Sequence, residues 1–288
     1  MAGLGPGLLF VAIWASAFTA IKGVVPEWPP LWGLAARFAC VAPLLLAVVA
    51  WRRAALPARA DAWRLVAMGV FGSALYLAGA WTASRVLPSG LVALLSATTP
   101  LFVAGGEALF LRQRIPPLAW AGLGLGWLGV AVLGAGRGAG GVAVAELWGV
   151  ALALGGALSQ AAGILAFAPA RRRIEPWTAN AAQTTVAAAT LLVIAGLAEP
   201  ALPPAPSLTL VLALAYGVLV VGIGGYALFF VMLDRLPPAT AAALQLLAPP
   251  LAAVLGWALL GERLGWTDLA GGAVTLAGLA ILLRLRKI

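Results

Sequence analysis

The sequence predicts an all-α integral membrane protein with ten transmembrane helices, set as two inverted five-helix repeats. Three observations carry that expectation. Of the 288 residues, 63% are hydrophobic and only 9% charged, whereas a soluble domain carries about a quarter charged residues to solvate its exterior. The apolar residues come in successive runs of about the 20 residues that a helix needs to cross the hydrocarbon core. Laid on itself at a shift of 150, the chain repeats its own landmarks.

Taken in order, the breaks place helices near 5–25, 31–50, 64–84, 87–111, 116–136, 147–168, 177–198, 208–232, 237–260 and 265–284. Met1 leads almost directly into the first run, without the basic segment of a cleavable signal, so that run is expected to stay in the membrane. The breaks carry their own stop signals in Pro26-Glu27-Trp28-Pro29-Pro30, the Gly-rich stretch 138–141 and the Pro-rich stretch 200–206. Residues 1–136 form the expected first repeat, 137–146 a connecting loop and 147–288 the second, inverted repeat.

Alternating the loops puts thirteen basic residues on one side: Arg52, Arg53, Arg59, Arg64, Arg112, Arg114, Arg171, Arg172, Arg173, Arg235, Arg284, Arg286 and Lys287. Arg85, Arg137 and Arg263 fall on the other, while Lys22 and Arg37 lie within spans. Cytoplasmic loops carry the excess of Lys and Arg, which sets both termini in the cytoplasm of a bacterial inner membrane. The net charge of +9 therefore reads as orientation signals and not as a nucleic-acid surface, since no soluble face interleaves basic with aromatic residues.

The shift of 150 lays Tyr76 on Tyr226, Arg85 on Arg235, Pro88 on Pro238, Leu94 on Leu244, Pro100-Leu101 on Pro250-Leu251 and Gly122 on Gly272. A shift of 146 lays Pro30 on Pro176 and Arg37 on Gln183. Five spans is an odd number, so the second copy enters the membrane upside down. Inverted repeats recur in secondary transporters, where two similar bundles exchange conformations around a midplane site. Chance alignment of Leu- and Ala-rich helices is the competing account, and the constant offset of paired prolines and tyrosines weighs against it.

Histidine is absent and Cys40 is the single cysteine. No disulfide, His-containing metal cluster or Ser/His/Asp triad can be assembled, and no cofactor is expected. Cys40, inside an apolar run, is expected as a small buried hydrophobe. Gly124, Gly126 and Gly129 spell GxGxxG, but no strand precedes them, and close helix packing explains them together with Gly122. There is no Walker P-loop.

The run from Pro250-Leu251 through Gly256-Trp257 to Leu260-Gly261-Glu262-Arg263-Leu264, the stretch Trp14-Ala15-Ser16-Ala17-Phe18 through Ile21-Lys22, and Pro29-Pro30 followed by Ala36-Arg37-Phe38 resemble the EamA type of the drug/metabolite transporter superfamily. The first half departs from that pattern, with Arg112-Gln113-Arg114 where a Gly-Glu-Arg-like end is usual. The resemblance implies a bacterial inner-membrane exporter of amino acids or related metabolites, with a cavity enclosed by spans 1, 3, 4, 6, 8 and 9. It carries no implication of enzymatic activity.

Uncharged polar and aromatic groups on those spans are the candidates for binding substrate: Trp14, Ser16, Tyr76, Trp81, Ser96, Thr99, Ser159, Gln160, Tyr226 and Gln245. Aromatic faces with one donor, beside amides that both donate and accept, suit a zwitterion with an apolar side chain. Packing between helices, or an interfacial belt for Trp81, is the plainer role for each one singly. Pro100 and Pro250 remove amide donors deep in spans 4 and 9 and should bend both helices, as gates or as static kinks. Three ionisable groups lie inside spans: Lys22, Arg37 and Glu107 are candidates for coupling, Lys22 and Arg37 equally for anchors reaching the interface, and Glu107 more simply for a residue at the interface. Span 1 offers Trp14, Ser16 and Thr19 in place of a central acid, which disfavours lipophilic cations as cargo. Asn180, Gln183 and Thr184 share one face of span 7, placed for hydrogen bonds to a neighbouring helix.

The expected function is alternating-access export of small polar metabolites, amino acids first and neutral or aromatic ones among them. Nucleotide sugars are the alternative cargo. A membrane-embedded enzyme acting on lipid-linked substrates would gather polar residues at one interface, and no such cluster is present. The expected partners are the lipid bilayer and a small-molecule substrate, with no nucleic acid and a monomer as the unit. A green fluorescent protein fused after Ile288 should fluoresce in bacteria; a dark fusion together with an active periplasmic phosphatase fusion at the same site would overturn the topology.

Overall fold

The computed structural model describes residues 4–110, 116–139, 144–199, 201, 203–235, 247–262 and 265–285. Among the described residues there is no strand, and the apolar runs fold as helices. They are α1 (Leu4–Ile21), α2 (Pro30–Trp51), α3 (Arg59–Ala83), α4 (Ser89–Ser96), α5 (Thr99–Phe110), α6 (Pro117–Ala139), α7 (Val144–Phe167), α8 (Pro176–Ala198), α9 (Leu208–Tyr216), α10 (Tyr226–Arg235), α11 (Ala248–Leu260) and α12 (Trp266–Leu285). Six helical stretches, Pro30–Trp51, Arg59–Ala83, Ser89–Gly106, Val144–Phe167, Pro176–Ala198 and Leu208–Phe229, are long and apolar enough to cross a membrane. Gly5–Ile21, Ala248–Leu260 and Leu269–Gly278 are shorter apolar helices. Helix extends to Ala139 and resumes at Val144 within the stretch expected as a connecting loop.

The helix starts follow local chemistry. Pro30 and Pro176 occupy the first turns of α2 and α8, where the missing N–H would have no partner anyway. The Glu175 side chain accepts from the Thr178 amide, and Ser207 accepts from the Leu210 amide. At its far end α11 closes on Gly261 at φ +66°, a left-handed conformation that favours glycine. Apolar side chains cover the outside: Leu197, Leu208 and Leu259 are exposed, while Trp51, Trp63, Trp120, Trp148 and Trp266 stand exposed near helix ends, as in interfacial aromatic belts. Cys40 is a correction. It is exposed on α2 and not buried, because in a lipid-facing helix an apolar position does not imply an inward one.

Two stretches leave the α-helical register. Met68–Leu75 in the middle of α3 and Gly217–Gly225 between α9 and α10 are π-helical, and each ends immediately before a tyrosine, Tyr76 or Tyr226. A π-helix pairs carbonyls with N–H groups five residues on, and in α3 the Ser159 hydroxyl also donates to the Phe71 carbonyl at 2.8 Å.

Span 4, expected to bend at Pro100, is interrupted just before it by a turn at 97–98, within a helical stretch that runs from Ser89 to Gly106. α4 ends at Ser96, and α5 starts again at Thr99 with Pro100 in its first turn. The Ser96 carbonyl that proline leaves unpaired receives the Thr99 hydroxyl at 2.9 Å. Pro250 likewise sits in the first turn of α11 and not deep inside a helix. Proline initiates helices here because its fixed φ suits a first turn.

Glycines set the two tightest helix crossings. A Cβ on Gly79 would stand 2.4 Å from the Leu152 carbonyl oxygen, and one on Gly156 would stand 2.7 Å from that of Tyr76, so α3 and α7 touch backbone to backbone. In the same way Gly126 and Gly129 on α6 face Gly278 and Thr275 on α12, while Gly124 looks into open space. The Gly156→Val variant should lose about 1–3 kcal/mol of stability through overpacking. Gly155→Val, whose Cβ meets nothing within 4 Å, should leave the melting temperature of the detergent-purified protein unchanged.

Candidate functional site

Four of the expected binding residues, each from a different element, meet around one small cavity. Trp14 on α1, Tyr76 on α3, Ser96 on α4 and Gln160 on α7 line it together with Phe18, Ala93, Ala97 and Ala248. Its free space is about 10 Å³, room for about one water and far too little for a metabolite. Trp14 stacks on Phe10 and Phe229 with ring centroids 5.3 and 6.2 Å away, and meets Tyr226 edge-on at 5.4 Å. This aromatic cluster forms because α1 aims residues 10 and 14, one turn apart, at α10. Thr99 donates to the Gln160 side-chain oxygen at 2.6 Å, which fixes that amide at the start of α5.

The other expected residues divide. Tyr226 joins the cluster through Trp14, while Trp81 lines a neighbouring cleft with Arg37. Ser16 turns away, within 2.5 Å of the Tyr216 hydroxyl, and Ser159 serves the α3 backbone. Both were expected on the cavity; each hydroxyl instead satisfies a polar group on another helix that hydrocarbon would leave unpaired. Gln245, Arg112, Gln113 and Arg114 lie outside the described residues, as does the side chain of Glu107, which falls on α5. A cavity of about 590 Å³ lies between α5, α6 and α7 and is lined by apolar residues including Phe102, Leu109, Trp127 and Leu165.

Arg37 does not reach for an interface. It is 4% exposed, its own neighbour Phe38 holds the guanidinium over its ring at 5.2 Å, and Nε donates to no acceptor. Gln183, 146 residues on in the sequence, is also buried but engaged, accepting from the Ser73 hydroxyl and donating to Asn180.

Lys22 is held by its own end of the bundle. Its ammonium donates to the carbonyls of Ser84 and Leu87 at 2.6 and 2.8 Å and stands 3.7 Å from Glu262. Glu262 in turn accepts from the Ser89 amide and hydroxyl, capping α4. One carboxylate thus ties together the end of α1, the start of α4 and the turn after α11. Sequence reading passed over Glu262 as a functional group. The faint signal was the left-handed Gly261 beside it, which aims the carboxylate back at the bundle.

The same end is knitted further. Glu199 accepts from the Leu31 and Trp32 amides at the start of α2 at 3.0 and 3.1 Å, and the Ser207 hydroxyl donates to Glu27. Burial pushes the Glu199 carboxyl above the ordinary carboxylate range, with the Trp32 and Leu31 amides and nearby Arg85 opposing it. At the opposite end Arg173 grips Asp61 with two nitrogens at 2.6 and 3.2 Å, and Arg64 donates to the Ala166 carbonyl. Asp61 raises the Arg173 guanidinium above its usual value.

Against this geometry, a family model described as "EamA-like transporter family" matches residues 1–135 and again 147–284. The chain is 29% identical to the uncharacterized inner membrane transporter YedA of Escherichia coli K12, covering 94% of this chain and 88% of that protein. It is likewise 29% identical to the uncharacterized transporter YdfC of Bacillus subtilis, over 94% and 87% of the two chains. A solved crystal structure superposes with a TM-score of 0.67 over 99% of both chains at 21% identity, a likeness of fold.

Replacing Glu262 by alanine would leave the Ser89 amide and the Lys22 ammonium without their carboxylate. An expected loss of about 1–3 kcal/mol should lower the melting temperature of the detergent-purified protein, with Glu262→Gln intermediate because it can still accept from Ser89.

Proposed function

This chain belongs to the EamA-like transporter family, a multi-pass membrane transporter, and from that premise we propose that it exports small polar metabolites, amino acids first, by alternating access. The carrying observation is the convergence of Trp14, Tyr76, Ser96 and Gln160 from four elements on one closed cavity. Aromatic walls fit an apolar side chain, and the Gln160 amide and Ser96 hydroxyl fit the polar ends of an amino acid. The match to a transporter family favours carriage over catalysis.

The ten-span inverted arrangement is part of the same proposal. It is supported by the match of the family model to each half and by two π-helical stretches, each ending before a tyrosine, at positions 150 residues apart. Two helices that begin with prolines 150 residues apart, Pro100 and Pro250, add to it. In this reading the end tied by Lys22, Glu262 and Glu199 is periplasmic, and the end tied by Asp61 and Arg173 is cytoplasmic. The collapsed cavity is then an occluded conformation, and the half-helix starts at α5 and α11 are the places where the bundles part. Pro100 and Pro250 act by ending one helical segment and starting another.

Protein reconstituted in liposomes should exchange labelled neutral amino acids, and Tyr76→Ala or Gln160→Ala should cut flux at least about tenfold, a loss of about 1.4 kcal/mol of binding, without loss of folded protein. No flux of any amino acid or metabolite in a broad panel would sink the proposal.

A further inference from the structure

Arg37 is a full positive charge inside an apolar bundle with no carboxylate paired to it among the described residues. Ionisable groups within a membrane are retained where they face a partner, a wet cavity or a cargo path. The repeat shows how a partner is supplied elsewhere. Gln183, which corresponds to Arg37 at a shift of 146, packs against the π-helical stretch before Tyr76 and receives the Ser73 hydroxyl. The stretch before Tyr226 carries apolar Ile223 at the position 150 residues after Ser73. Arg37 lies against that stretch, since a Cβ on Gly217 would stand 3.1 Å from its Cδ.

The groups sharing its two narrow clefts are short of acceptors. One cleft holds Arg37 with Trp81, the other Arg37 with Tyr226 and Thr184. The Arg37 Nε and the Trp81 Nε1 are buried without an acceptor, and the buried Tyr226 hydroxyl lies beside the Arg37 guanidinium. The Asn180 amide nitrogen, whose side-chain oxygen engages Thr184, is unpartnered too. Buried donors are normally satisfied, and here the Trp81 Nε1 and the Tyr226 hydroxyl stand in the clefts beside a cation whose own Nε is unmet. A planar guanidinium with its Nε unmet matches a carboxylate in geometry as well as charge. Tyr226 also meets Trp14 edge-on at 5.4 Å, so the Arg37 clefts adjoin the central aromatic cluster.

We infer that Arg37 anchors an anionic oxygen group of the cargo, a carboxylate, with Trp81 and Tyr226 as further donors, and that the apolar remainder lies toward Trp14 and Tyr76. No described acid lines these clefts or the central cavity, so nothing there demands an ammonium group. The cargo class narrows from polar metabolites to carboxylates, of which amino acids are one kind. This rests on the transporter proposal and refines its substrate.

The test is calorimetric titration of detergent-purified protein with three probes sharing one ring: phenylalanine, 3-phenylpropionate and phenethylamine. The two carboxylates should bind and the amine should not, which needs no variant. In Arg37→Gln carboxylate binding should weaken at least about thirtyfold, the scale of losing one partner of a buried charge pair, while Arg37→Lys should retain part of it. Amine binding as tight as acid binding, failure of all three probes to bind, or unaltered binding in Arg37→Gln would each overturn the assignment. Flux in liposomes of solutes without an anionic group would overturn it while leaving the transporter standing; absence of flux for every solute would strike the transporter proposal itself.

Discussion

In hydrocarbon no water is available to an unpaired amide or carbonyl, and each such group costs several kcal/mol. Everything irregular in this protein answers to that constraint. Where α3 goes π-helical, Ser159 reaches across from α7 to the Phe71 carbonyl. Where span 4 breaks, Thr99 turns its hydroxyl onto the Ser96 carbonyl and shares it with Gln160. At the bundle end Glu262 and Glu199 take up the first amides of α4 and α2. The polar side chains of the interior are largely occupied in repairing backbone.

That occupation gives meaning to the groups left over. A hydroxyl or amide bound to its neighbour is spent, as Ser16 is on Tyr216 and Gln183 on Ser73. Arg37 Nε and Trp81 Nε1 are not spent, and both are buried. They lie on or beside the small cavities between α1, α2, α3 and α4 and the helices facing them. In the proposed transport cycle each opening would expose these groups to a polar ligand.

The two ends differ in how they are held. One is fastened by carboxylates capping helix starts, with Lys22 as a shared cation; the other by the Asp61–Arg173 pair joining the first turn of α3 to the segment before α8. The Arg173 side chain is more than half exposed, while Asp61, Lys22 and Glu262 are largely covered. Between them the contacts of α3 with α7 and of α6 with α12 are backbone against backbone through glycine. Such surfaces pivot or stay rigid but do not repack.

Composition and spacing by themselves determined that this chain is helical, membrane-embedded and built of apolar segments cut at the prolines, glycines and arginines, because only about 20 apolar residues satisfy both lipid and backbone. Pairing Tyr76 with Tyr226 and Pro100 with Pro250 was legible because duplication leaves a constant offset. The tertiary structure alone decided which face each polar residue presents. Ser16 and Ser159 look the same in sequence as Ser96, yet two serve other helices and one lines the central cavity; Cys40 looks buried and faces outward; Pro100 looks like a kink and starts a helix. Lys22 and Arg37 looked alike as well. In a uniformly apolar helix no hydrophobic stripe marks the inside, so facing is set by neighbours that only the packed bundle brings together.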